Sequence, residues 1–207
     1  MILYLCCDDQ LDLRGQLAAQ KALSDAARYL PELKTVNLEN RPWTPRSPVR
    51  GETCLTGCRR ESGQYDASRI INNLTANLPV LPGPAKILLV TARDLTMGTM
   101  KFCFGAGRLG GRGAVVSVAR FLSLSPVELD HCLSRSVRHE IGHMLTMAAD
   151  RNRSGTEQSN GPHCTNPGCI MRQTLTLTAL RNTASDREVF CPQCLADMRR
   201  HLQAAAK

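Results

Sequence analysis

The chain has 207 residues and a formal net charge of +8, with 43% hydrophobic and 21% charged residues, a composition that supports one sizeable core and excludes a disordered chain. No apolar run approaches the roughly 20 residues of a membrane span. Aromatic residues are only 4% of the total, which argues against a base-stacking platform and against nucleic acid as a partner. The basic residues are scattered, and even Arg199, Arg200 and His201 stand close to Asp197, so the charge reads as a solvated surface.

The opening residues Met1 to Asp9 show no basic leader, and a cytoplasmic location is expected. In a reducing compartment the ten cysteines are better suited to holding metal than to forming disulfides. The sequons at Asn73 and Asn152 are then chance matches. Ile2 to Cys7 reads as a first strand. Leu13, Leu17, Ala18, Ala22, Leu23, Ala26 and Leu30 recur at helical spacing, which predicts an amphipathic helix over 11–30 ended by Pro31. A short strand at 36–38 is followed by an irregular, Pro- and Gly-rich connection over 41–63, in which Cys54 and Cys58 stand four apart.

A second helix is predicted over 65–78, with Ile70, Ile71, Leu74 and Leu78 inward, and then a buried strand at 87–91. Strands at 101–104 and 114–120 are expected to flank a glycine-dense loop. That loop contains G-x-G-x-x-G, but the β-branched run Val115-Val116-Ser117-Val118 follows where a dinucleotide fingerprint needs a helix. It reads as a hairpin or rim loop. Pro126 opens a long helix into the 140s, with Val127, Leu129, Leu133, Val137, Ile141, Met144 and Leu145 as its apolar stripe.

This last helix carries His139-Glu140-Ile141-Gly142-His143, an H-E-x-x-H motif. Residues four apart share a helix face, so both imidazoles can meet one Zn²⁺ while Glu140 stands beside it to take a proton from water. Downstream, Cys164 and Cys169 with Cys191 and Cys194 form two close pairs of the kind that hold a structural zinc. Cys6, Cys7, Cys54, Cys58, Cys103 and Cys132 show no such framework and read as buried small residues. His131 lies roughly 12 Å along the helix axis from His139 and is too far to share its metal. His201 reads as a surface residue.

Taken in order, HEIGH at 139–143, HCTNPGCIM at 163–171 and CPQC at 191–194 resemble the archaemetzincin family, whose pattern joins H-E-x-x-H-x-x-G-x-x-H to C-x4-C-x-M and a later C-x-x-C. Thr91-Ala-Arg-Asp-Leu95, Phe104-Gly-Ala106 and Gly113 to Arg120 are similar to the stretch before the family's active-site helix. The resemblance implies a zinc metallopeptidase with two Zn²⁺ per chain, a peptide or protein substrate and Met171 as a Met-turn methionine. It also implies that the strand at 114–120 is an edge that aligns an extended peptide.

The chain departs from the family pattern in two places, of which the lesser is a slightly longer spacing from Met171 to Cys191. Nineteen residues, Met144 to Pro162, separate His143 from His163, and the family's glycine and third-ligand positions fall on Thr146 and Ala149. The third ligand is therefore His163, which keeps its family place beside Cys164, or Asp150. The fold class expected is α/β (α+β), zincin or metzincin-like: a mixed twisted sheet with helices and the active-site helix over 1–143, and a small zinc-stabilised subdomain over 144–207. Together they make one catalytic domain, a monomer with the cleft between its parts. The alternative is a zinc-stabilised, peptidase-like binding module with weak or no activity; a redox role for Cys191 and Cys194 is a third reading.

Overall fold

The computed structural model describes residues 1–37, 54–76, 85–145, 155–157, 161–182 and 189–204. A five-stranded sheet runs in the order β2 (Lys34–Asn37), β1 (Ile2–Cys7), β4 (Ala85–Thr91), β7 (Gly113–Ser117) and β6 (Gly105–Gly107). The first four are parallel and β6 alone is antiparallel, at the edge. The short strands β3 (Tyr65–Asp66) and β5 (Leu95–Thr96) pair separately, as do β8 (Thr156–Glu157) and β9 (His163–Cys164).

Strand alternation divides the core into two layers. Leu3, Leu5, Leu88, Val90, Ala114 and Val116 face one layer, and Tyr4, Cys6, Ile87, Leu89 and Val115 face the other. Helix α1 (Leu13–Tyr29) and the long α3 (Pro126–Leu145) cover the first face; α2 (Ala67–Ala76) covers the second. The first layer continues through Cys164, Cys169 and Met171, and through Met198 and Leu202 of α5 (Pro192–Ala204), so the cysteine-bearing segments are packed into the main core. The short α4 (Leu177–Asn182) adds Leu180 to it.

Both large helices of this layer start on side-chain caps. The Asp12 carboxylate accepts from the Gly15 N–H at 2.8 Å. Ser125 and Glu128 exchange side-chain and backbone bonds as a capping box. Some sequence expectations fail at the register level. On α1 the inward face is Gly15, Ala18, Ala19, Ala22, Leu23 and Ala26, while Leu13 and Leu17 are 69% and 56% exposed; small residues let this helix lie close to α3, and the leucines fall outside the contact. Val127 likewise points outward from the first turn of α3. Leu78 lies outside the described residues.

The larger correction concerns the strand pair before α3. Residues 101–104 are not a strand; β6 forms inside the glycine-dense segment itself, so β7 is an interior strand and not the edge. The reason is steric. A Cβ on Gly105 would stand 2.7 Å from Glu140 Oε1, and one on Gly107 would stand 3.0 Å from Glu140 Oε2, so only glycine lets this edge lie against the active-site helix. Bonds between Phe104 and Ser117 and between Arg108 and Gly113 set the ladder phase, which by antiparallel alternation turns the main-chain groups of Gly105 and Gly107 to the open edge.

Candidate active site

The last two turns of α3 carry His139, Glu140 and His143 beside β6. The hairpin β8–β9 brings His163 to them, so that one nitrogen from each of the three histidines lies within 4.8 Å of the others. The nineteen-residue displacement in sequence is closed by the fold. Asp150, the rival third ligand, lies outside the described residues. His131 is remote, and no further His, Cys, Asp or Glu joins the histidine set among the described residues.

The donor set fits a zinc ion. His139 Nδ1–H donates to the Ile170 carbonyl at 2.8 Å and His163 Nδ1–H donates to the Gly161 carbonyl at 2.9 Å. A carbonyl only accepts, so each bond fixes the tautomer that leaves Nε2 as a lone-pair donor. His139 Nε2 and His143 Nε2 stand 3.0 Å apart, close to the about 3.3 Å that two tetrahedral zinc–nitrogen bonds subtend. Burial, then the neighbouring imidazoles, hold His139 well below its ordinary pKa. Burial and His163 bring His143 down to about 3, and burial lowers His163. Burial thus favours at all three the neutral imidazole, the form that binds a metal.

Glu140 is 5% exposed, and its Oε2 is buried with no hydrogen-bond partner among the described residues. Desolvation raises its pKa to about 8. The carboxyl opens on a cleft of about 310 Å³ lined by the three histidines, β6, and the apolar side chains of Phe102, Phe104, Leu175 and Leu180. Met171 underlies the site: a Cβ on Gly142 would come within 2.1 Å of its Sδ, so the glycine between the two helix histidines is there to admit the methionine.

Behind this site the four cysteines converge. Cys164 Sγ is 3.8 Å from Cys191 Sγ and Cys169 Sγ is 3.7 Å from Cys194 Sγ. Four sulfurs each about 2.3 Å from a tetrahedral zinc stand about 3.8 Å apart, whereas a disulfide needs about 2.05 Å. The hydrogen bond with Cys194 and that from the Cys191 N–H bring Cys169 down to about 5, while burial holds Cys164 up to about 11. The remaining six cysteines are buried and not joined in disulfides, and no third ligand completes a set with Cys54 and Cys58 among the described residues. His201 is half-buried, its pKa lowered by burial and then by the charge of Lys86.

Four contributors escaped sequence reasoning: Gly105, Gly107, the Ile170 carbonyl and Lys86. The two glycines were visible as a G-x-G spacing that a strand puts on one face, but their loop-like composition masked it. Lys86 is buried within β4 and its Nζ donates to the carbonyls of Gly111 at 2.6 Å and Met144 at 2.8 Å. It ties the last turn of α3 to the glycine-rich segment, and nothing local marks it.

A mixed sheet whose last helix offers two histidines and a glutamate to a third histidine on a following hairpin is the zincin-like class of fold. No protein-family model matches the chain. An archaemetzincin from Archaeoglobus fulgidus is 32% identical over 136 residues, 65% of this chain and 73% of the relative. The crystal structure of an archaemetzincin from Methanopyrus kandleri superposes with a TM-score of 0.68 at 25% identity, covering 98% of this chain and 96% of that one. A zinc-dependent peptidase from Methanocorpusculum labreanum shares the fold, with a TM-score of 0.65 at 22% identity over 95% of this chain and 99% of its own. The chain belongs to the archaemetzincin family.

Proposed function

We propose that the protein is a zinc metallopeptidase that hydrolyses peptide bonds in its β6-lined cleft. The single observation that carries this reading is the convergence of His139, His143 and His163 within 4.8 Å beside a buried carboxyl. His139, His143 and His163 would hold the catalytic zinc, and Cys164, Cys169, Cys191 and Cys194 a second, structural one. The convergence of His163 on the two helix histidines favours it over Asp150 as the third ligand. The fold shared with a protein described as a zinc-dependent peptidase supports the same reading. When bound, zinc at such a site polarises the substrate carbonyl and acidifies water.

Glu140 takes the proton of the attacking water and delivers it to the leaving amine. Its placement supports this: the carboxyl is buried beside the three histidines, and its Oε2 has no hydrogen-bond partner among the described residues. The open main-chain groups of Gly105 and Gly107 align an extended substrate as an added antiparallel strand, a role taken over from the strand at 114–120, which is interior. The segments 1–143 and 144–207 work as one catalytic unit, since the first carries the helix and the second supplies His163 and the Ile170 carbonyl.

The test is cleavage of a peptide library followed by mass spectrometry, comparing the zinc-loaded protein with its Glu140→Gln variant at equal zinc content. Cleavage that requires Glu140 supports the peptidase; equal or absent cleavage in both supports the binding-module alternative.

A further inference from the structure

The loop from His163 to Met171 belongs to both candidate metal sets at once. His163 and Cys164 are consecutive residues of β9, so their side chains leave on opposite faces, the imidazole toward the cleft and the thiol toward the cysteines. At the loop's other end, Cys169 joins the thiols, Ile170 gives its carbonyl to His139 Nδ1 at 2.8 Å, and Met171 fills the gap at Gly142. The Cys164 N–H to Met171 carbonyl bond of 2.9 Å closes the base of the loop.

Besides the packing of Cys169, Ile170 and Met171 in the main layer, this loop meets the rest of the protein through the cysteine set. Cys191 and Cys194 stand at the start of α5, whose Met198 and Leu202 are fixed in the core. The loop meets them through the two sulfur pairs, the Cys191 N–H to Cys169 Sγ contact at 3.3 Å, and the Ile170 N–H to Val189 carbonyl bond at 3.2 Å. Cys164, Cys169, Cys191 and Cys194 would hold a metal ion between them, and bonds to that common centre would clamp the loop to α5 more firmly than the sulfur contacts do.

We propose that the four-cysteine set is a positioning device for the three-histidine set: a zinc ion bound by Cys164, Cys169, Cys191 and Cys194 preorganises His163 and the Ile170 carbonyl and so tightens metal binding at His139, His143 and His163. The inference rests on the two-zinc reading above. Because the coupling is a free energy, it is reciprocal: metal at the histidines tightens the thiolate site by the same factor. Supports behind metal ligands are typically worth about 10- to 100-fold in metal affinity, and that is the size expected here.

The experiment uses the full chain, titrated with Co²⁺ and with Zn²⁺ against a chromophoric chelator. Thiolate-to-cobalt charge-transfer bands report the cysteine site, and the weaker visible bands report the histidine site. Cys194→Ala, on α5 and away from the histidines, is expected to weaken the histidine site by about 10- to 100-fold with helical circular dichroism retained. His143→Ala, on α3 and away from the cysteines, is expected to hold the thiolate metal less tightly by the same factor than a wild type whose histidine site is filled. If Cys194→Ala does not fold, the His143→Ala arm decides alone. Two ions per wild-type chain with affinities indifferent to the other site overturn the coupling and leave the peptidase reading intact. A wild type that takes one ion, at the thiolates only, overturns both.

Discussion

Glu140 and its two glycine neighbours carry the sharpest residue-level consequences. Glu140→Gln keeps the side-chain shape and removes the base, so kcat/KM for a cleaved peptide is expected to fall by about 10²- to 10⁴-fold with zinc content unchanged. Gly105→Ala replaces no catalytic residue but puts a methyl 2.7 Å from Glu140 Oε1 and 2.8 Å from its Cγ. The carboxyl must shift, and a displacement approaching 1 Å costs on the order of 100-fold in rate. Steady-state kinetics and metal analysis on the same preparation separate this from metal loss. If Gly105→Ala retains full activity, Glu140 does not act from its observed position.

At the scale of elements, β6 and the end of α3 behave as one assembly. If peptides bind as an added strand on β6, N-methylation of substrate amides is expected to raise KM at alternate positions only, since every second residue of such a strand bonds to the edge. Uniform insensitivity along the peptide argues against strand addition. Lys86 holds the other end of the assembly, and burial, then Arg112, lowers its pKa to about 8 from 10.5. Between those values the unfolded chain keeps a proton that the folded chain has released, so stability rises with pH across that window. Against a Lys86→Met variant, the wild type is therefore expected to gain on the order of 2 kcal/mol from pH 8 to 10.5, read from denaturant midpoints.

For the whole molecule, the packing of Cys164, Cys169, Cys191 and Cys194 into the main layer ties metal content to global stability. A chelator that strips zinc is expected to lower Tm, and excess zinc to restore it in a concentration-dependent way, because a ligand held only by the folded chain stabilises it by mass action, about 4 kcal/mol at a thousand times Kd. Calorimetry with and without chelator checks this. A Tm indifferent to chelation means that the cysteine layer stands on packing alone. Among the described residues no helix is long and apolar enough to cross a membrane, and the charges are spread over ion pairs such as Arg120 with Asp94 and Arg60 with Asp66.

Local pattern by itself determined the elements with strong periodicity and the motifs with rigid spacing. The strand Ile2–Cys7, the helices α1 and α3, the H-E-x-x-H face and the paired cysteines follow from 3.6-residue and two-residue repeats and from the reach of one metal ion, all of which are properties of neighbours in sequence. Tertiary structure alone decided which strand is the edge, which leucines of α1 face water, and that His163 crosses a nineteen-residue gap to reach His139 and His143. Those outcomes depend on how closely two backbones approach and on where a loop is clamped. A chain encodes such contacts in distant residues, Gly105 against Glu140 or Cys169 against Cys194, whose meaning appears only when the fold has brought them together.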